Sequence, residues 1–264
     1  MTDVATLFSG STGNAVYLGN PAGGLLFDAG RNLKAVCQSL DDLGYSPNRV
    51  KAVFVTHTHS DHISALRVLT KHFPDLPVYG TETTLETLDR EEAVDPKSVL
   101  IPVNARGADV LGYHVAAFPT PHDAPGSCGF LITTPGGERV GLCTDLGHVP
   151  DSVLNALSGC GSAILESNDD VEVLKAGPYP YPLKRRILGE QGHLSNADCA
   201  GLAATLFQRG CRNFVLAHLS QQNNHPQLAY ETTLYRLMDC GAAETDFSLS
   251  VAAPDAASRH CEVR

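Results

Sequence analysis

The sequence predicts an α/β fold in which two central mixed sheets are covered on the outside by helices. Two observations point to it. Short β-rich runs and stretches of helical apolar spacing occur together in both halves of the chain. No Pro/Gly/Ser-rich linker divides the 264 residues, a length within reach of one large domain.

Residues 5–8, 15–18 and 24–28 read as short strands, punctuated by Gly19-Asn20-Pro21 and Gly23-Gly24. Residues 33–43 carry apolar side chains at helical spacing and close at Gly44. A strand at 52–55 precedes one helix at 63–73, stopped by Pro74. Strands follow at 112–118, 130–133 and 139–142, the last two joined across Pro135-Gly136-Gly137. Residues 162–165 read as a strand and 195–208 as a helix, with Ser195 and Asp198 spaced as in a capping box. A strand at 213–217 and a helix at 227–240, after Pro226, complete the pattern. The tail from Ala252 is weakly patterned and is expected to be peripheral, and no repeat period is visible.

The strand at 52–55 runs directly into His57-Thr58-His59-Ser60-Asp61-His62. A strand ending in a tight loop can aim His57 and His59 at one metal ion. Asp61 and His62, one turn later, can hold a second. Imidazole suits zinc and iron and carboxylate suits harder ions, so a mixed pair of sites is chemically sensible. A lone histidine would more often be a satisfied surface residue, but four metal-type side chains at this spacing argue against that.

The His57-x-His59-x-Asp61-His62 run after an apolar strand resembles the signature of the metallo-β-lactamase superfamily, whose fold is an αββα sandwich. Further motifs resemble its YycJ/WalJ/VicX branch, which is associated with 5′→3′ exonuclease activity on DNA. They are Ser9-Gly10-Ser11-Thr12-Gly13-Asn14, Leu165-Glu166-Ser167-Asn168 and Gly177-Pro178-Tyr179-Pro180-Tyr181-Pro182. Leu216-Ala217-His218-Leu219-Ser220, followed by Asn223-Asn224, is another. The likeness runs from about Thr6 to Cys240.

The resemblance implies two divalent metal ions, manganese or zinc, with iron as a third option. His57, His59 and His122 would hold one, Asp61, His62 and His218 the other, and Asp145 would bridge them. Asp28 would support the metal loop from behind. Asp61, Glu166 and His193 are the expected catalytic residues. Glu166 and His193 are similar to a pair thought to pass a proton to the leaving oxygen in tRNA-processing phosphodiesterases of the superfamily. Each residue also has a plain structural alternative. His122 and Asp28 could be turn formers, Asp145 a helix cap, His218 a core histidine, and Glu166 and His193 a salt bridge.

Residues 175–191 form the expected substrate arm. Tyr179 and Tyr181 offer faces for base stacking and Lys184, Arg185 and Arg186 offer phosphate contacts, unless they are only a solvated helix start. Asn223 and Asn224 are expected either to touch substrate or to turn the chain before Pro226. The loop at 9–14 could cradle a phosphate or simply form a tight turn. Asp169 stands where the branch often has histidine. The span from Asp145 to His193 leaves no room for an inserted β-CASP domain, and no long tRNase Z arm is present.

Ligands spread from His57 to His218 argue for a single domain over residues 1–264. A net charge of −10 counts against nucleic acid, yet two cations in a site with only two carboxylate ligands would leave it positive. Eight irregularly spaced cysteines, with no basic-then-apolar leader and no apolar run long enough for a bilayer, point to a cytoplasmic protein without a membrane segment. The reading favoured is therefore a metal-dependent DNA exonuclease, with a water activated between two ions and a possible place in DNA repair. The alternative is a small-molecule metallo-hydrolase of the same fold, acting on a cyclic phosphodiester, thioester or lactam. A non-catalytic regulatory partner would need neither a full ligand set nor a proton donor.

Overall fold

In the computed structural model, which describes residues 1–264, three apolar layers organise the chain. The first sheet contains β1 (Thr2–Phe8), β2 (Ala15–Asn20), β3 (Gly23–Phe27), β4 (Val50–Phe54), β5 (Val78–Gly80) and β6 (Leu100–Pro102). The second contains β7 (Ala108–Val110), β8 (Tyr113–Pro119), β9 (Cys128–Thr133), β10 (Arg139–Cys143), β11 (Ser162–Glu166), β12 (Asn213–Ala217) and β13 (Ser248–Val251). The last strand, β14 (Ser258–Val263), returns to the first sheet and pairs antiparallel with β1. Both sheets are mixed, with spatial orders β14-β1-β2-β3-β4-β5-β6 and β13-β12-β11-β10-β9-β8-β7.

Period-two alternation explains how the strands serve two layers at once. Leu25, Phe27, Ala52 and Phe54 face the core between the sheets, where Phe54 stacks on Phe27 and Tyr79 and meets Phe130 edge-on. Their neighbours Leu26 and Val53 face outward, against α1 (Leu33–Asp42), α3 (Leu66–His72) and α4 (Glu82–Arg90). On the other side α5 (Asp151–Leu157), α8 (Asn196–Gln208) and α9 (Pro226–Asp239) cover the second sheet. Strands buried on both faces read as near-continuous apolar runs, as in β11 and β12, whereas β1 is buried throughout and still carries Thr2, Asp3 and Thr6. No helix is long and apolar enough to cross a membrane.

Two expectations need correction. The single helix at 63–73 is instead α2 (Ser60–Ile63) followed, after a break, by α3. The Asp61 carbonyl accepts from Asn14 N and the His62 carbonyl from Ala29 N, both at 2.7 Å, while Ala65 N donates out of the helix to the Ala29 carbonyl at 2.8 Å. Tertiary contacts with the neighbouring loops cut the helix. The tail is not peripheral either. Val263 and Ala252 lie in the central core, and His260 bridges Thr6 Oγ1 and Ser250 Oγ at 2.7 and 2.9 Å. Its polar, short-period pattern conceals a strand. At the start of α8 the expected cap is present, with Ser195 Oγ accepting from Asp198 N.

Gly30 packs so closely that a Cβ there would lie 1.6 Å from the Asp61 carbonyl oxygen and 2.5 Å from Asn14 N. Gly30→Ala should therefore destabilise the fold by about 1–3 kcal/mol, the usual cost of overpacking. Urea unfolding should show a lower midpoint with an unchanged slope. An unchanged midpoint would mean that this loop can move aside freely.

Candidate metal centre

Functional side chains sit where strands of both sheets end. Three of these ends have a residue in the left-handed region, which L side chains seldom adopt: Asp28 after β3 (φ 60°), Asp145 after β10 (φ 60°) and His218 after β12 (φ 56°). Two of these reversals turn Asp145 and His218 into one shared cleft, and the third sets Asp28 behind it against His62.

The potential ligand atoms fall into overlapping sets. His57, His59 and His122 bring theirs within 4.8 Å of one another, as do Asp61, His62 and His218, and also His57, His62 and Asp145. Asp145 stands between the groups, with Oδ2 3.4 Å from His62 Nε2 and Oδ1 3.5 Å from His218 Nε2 and 3.9 Å from His122 Nε2. The buried atoms His57 Nε2 and Asp145 Oδ2 have no hydrogen-bond partner in the protein. Orphaned polar atoms of this kind are costly unless something else binds them, so the donor set fits divalent cations. Burial first, then the neighbouring histidines, hold His57 well below its usual pKa, keeping it neutral as a ligand must be.

Hydrogen bonds behind the pocket assign the ring nitrogens. Asp28 accepts at 2.8 Å from Thr56 N and Thr56 Oγ1 and from His62 Nδ1, gripping the metal loop at both ends. His122 Nδ1 donates to the Gly192 carbonyl at 3.0 Å, which leaves Nε2 facing the pocket. Ser9 Oγ accepts from His218 N at 2.7 Å, and Asn14 Nδ2 donates to Asp61 Oδ2 at 3.2 Å. The glycine- and hydroxyl-rich loop thus ties the two sheets together across the site.

Glu166 has two roles, of which the sequence reveals one. Fully buried, its Oε1 accepts from His193 Nδ1 at 2.7 Å and from His218 Nδ1 at 2.8 Å, while Oε2 accepts from Leu146 N and Leu194 N. Burial opposes its charge, but the His193 and His218 partners hold the carboxyl below the usual carboxylate range. Burial likewise opposes a charged His193, and Glu166 overcomes that to raise its pKa. His193 borders the cleft with its side chain 14% exposed. Asp169 is buried with both carboxylate oxygens unpartnered; burial and then Glu166 push its pKa up to about 7.

The expected arm is only partly at the site. Tyr179 and Arg186 line the cleft, Tyr179 between α6 (Val171–Ala176) and α7 (Tyr181–Ile187) and Arg186 within α7. Tyr179 also borders an adjoining groove of about 820 Å³, shared with Tyr181, Lys184 and Arg185. Lys184 Nζ folds back to donate to the carbonyls of Lys175 and Gly177. Of the two alternatives for Asn223 and Asn224, the hydrogen bonds support the turn. Asn223 is fully buried and donates to Ser220 Oγ, and Asn224 Nδ2 donates to the carbonyls of Ser167 and Asn168. Sequence reasoning missed Asp123, whose Oδ1 is 3.6 Å from His59 Nε2. Its position beside His122 was the only signal.

Comparison with known proteins gives concordant results. The family model described as "Metallo-beta-lactamase superfamily" matches residues 9–185. "Exodeoxyribonuclease YycJ" of Bacillus anthracis is 36% identical over 226 residues, covering 85% of each chain. "Exodeoxyribonuclease WalJ" of Streptococcus pneumoniae is 31% identical, covering 97% of this chain and 96% of its own. Among solved structures, the metallo-beta-lactamase fold protein YhfI from Bacillus subtilis superposes with a TM-score of 0.68 at 16% identity, covering 97% of this chain and 98% of its own.

Metal titration of the chelator-treated protein, followed by elemental analysis, should approach two divalent ions per chain. Asp28→Ala should weaken that binding by roughly 10–100-fold, as expected when a carboxylate behind a ligating histidine is removed. A saturating stoichiometry of zero would reject the assignment.

Proposed function

The chain belongs to the metallo-β-lactamase superfamily, and we propose that within it this protein is a two-metal phosphodiesterase acting on DNA as a 5′→3′ exonuclease. One observation carries the choice of substrate class: Glu166 pins His193 at 2.7 Å, beside the pocket that Asp145 divides. A thioester releases a thiolate, which leaves readily near neutral pH without protonation. A phosphodiester in a nucleic acid releases a strongly basic alkoxide and benefits from a positioned acid. The nuclease-named relatives, matched over most of the chain, support the same class, and the polarity follows from the YycJ/WalJ resemblance. A role in DNA repair belongs to this proposal.

His57, His59 and His122 would hold one ion, Asp61, His62 and His218 the other, with Asp145 between them. Bound there, such ions lower the pKa of a water and neutralise charge developing on phosphorus oxygens. The protein supplies the remainder. Glu166 raises the pKa of His193 and holds the ring by its Nδ1, so that Nε2 would be the atom to donate to the leaving 3′ oxygen. Arg186 and Tyr179 at the cleft, with Arg185 and Tyr181 in the adjoining groove, would hold the phosphates and bases that follow.

The manganese-loaded protein should release nucleotides from the 5′ end of DNA when offered phosphorylated duplex, single strands, RNA and nitrocefin in parallel. Hydrolysis of nitrocefin with DNA intact would transfer the assignment to a small-molecule hydrolase. His193→Ala should lower turnover on DNA by roughly 10²–10⁴-fold and much less on a nitrophenyl phosphodiester, whose leaving group needs little protonation. Equal losses on both substrates would return His193 to a structural role. Glu166→Gln should also weaken metal binding, because Glu166 holds His218 as well.

Replacing Lys184, Arg185 and Arg186 together with alanine should weaken DNA binding and flatten its salt dependence. On a single strand the slope should fall by about 0.7 for each phosphate that the variant no longer neutralises. An unchanged slope in the folded variant would assign the cluster to solvated surface.

A further inference from the structure

We infer that Asp123 is a positioning residue that aims Arg186 at the substrate phosphate and steadies His59 from behind. One carboxylate thereby joins phosphate recognition to the metal pocket. The inference rests on the phosphodiesterase reading above and goes beyond it.

Asp123 immediately follows His122 in the loop after β8. Arg186 Nε donates to its Oδ2 at 2.5 Å and Arg186 Nη2 to its Oδ1 at 3.0 Å. A two-point bond of this kind fixes the plane of the guanidinium, which a single bond would leave free to swing. Arg186 lines the cleft beside His59, Asp61 and His193, and its Nη1 makes no hydrogen bond to the protein. The group is therefore oriented at the cleft wall with donors left over for an anion.

The same carboxylate also faces inward. Asp123 Oδ1 lies 3.6 Å from His59 Nε2, while His59 Nδ1 is 3.2 Å from His122 Nε2. The arrangement turns His59 Nδ1 towards the pocket and leaves its Nε2 beside Asp123, whose Oδ1 is also 3.5 Å from His122 Nε2. A carboxylate behind a ligating histidine sets its tautomer and ring orientation. A half-exposed Arg–Asp pair on an ordinary surface would contribute little. Here each partner also borders a functional group, Arg186 the cleft and Asp123 the His59 ring.

Substitutions separate the two interactions. Asp123→Asn keeps an amide oxygen for His59 but turns an NH2 group towards the guanidinium. Asp123→Ala removes both interactions. The probe is thymidine 5′-monophosphate, whose affinity for the manganese-loaded protein is measured by calorimetry, alongside KM and kcat on single-stranded DNA. Asp123→Asn and Arg186→Ala should each weaken nucleotide binding and raise KM about tenfold, the scale of one charge-assisted hydrogen bond. The double variant should be no worse than the weaker single, with kcat changed far less than KM. Only Asp123→Ala should also weaken manganese binding, by roughly 10–100-fold.

Wild-type affinity in the folded Asp123→Asn variant, or losses that simply add in the double variant, would overturn the inference. If the wild type binds nucleotide with this pattern but leaves DNA intact, the exonuclease reading fails and the Asp123 role stands. If DNA is degraded and Asp123→Asn behaves as wild type, the reverse holds.

Discussion

Everything at this site depends on three strand ends whose last turn is left-handed. Asp28, Asp145 and His218 each take a positive φ where their strands stop. Such conformations cost of order 1–3 kcal/mol apiece and persist only when the surroundings over-determine them. For Asp28 the surroundings are visible: three donors converge on its carboxylate. For His218 they are Glu166 at one ring nitrogen and Ser9 at its backbone. Local strain is thus offset by hydrogen bonds that also fix the direction in which each side chain points.

The two sheets repeat one another in layout although the sequence shows no repeat. Each begins with a run of antiparallel pairs and ends with three parallel ones: β3-β4-β5-β6 in the first, β10-β11-β12-β13 in the second. Asp28 and Asp145 hold similar places, one and two residues after the strand where antiparallel pairing gives way to parallel. Their surroundings then divide the labour. Asp28 has both carboxylate oxygens engaged by protein donors, while Asp145 keeps Oδ2 unpartnered in the cleft. One geometry yields a brace on one side and an open donor on the other.

What could be read from the residues was whatever local pattern controls. The layered fold was legible because short β-rich runs and helical apolar spacing occur together in both halves of the chain. The ligand run at 57–62 was legible because six residues confine its geometry. Long-range partners were not. Nothing near Glu166 in the chain reveals that His218, fifty-two positions away, shares its Oε1 with His193. The helix break after Ile63 comes from backbone bonds made with Asn14 and Ala29. For Asn223 and Asn224 the residues alone left substrate contact and turn formation equally open, and only the folded partners show amides used to close a turn. The tail was misjudged because β14 takes its stability from β1, more than two hundred residues earlier.

That last pairing bears on how the chain comes to be folded. Val263 lies opposite Thr2, so the strand that covers one side of β1 is made some 260 residues after it. At synthesis rates of roughly 5–20 residues per second the interval is on the order of tens of seconds. An unpaired strand edge is the kind of surface that recruits other strands. A growing chain in which β1 had already paired with β2 would leave that edge of β1 open to other strands for the whole interval. In the finished fold β14 closes that edge, so the hazard belongs to the path and not to the product.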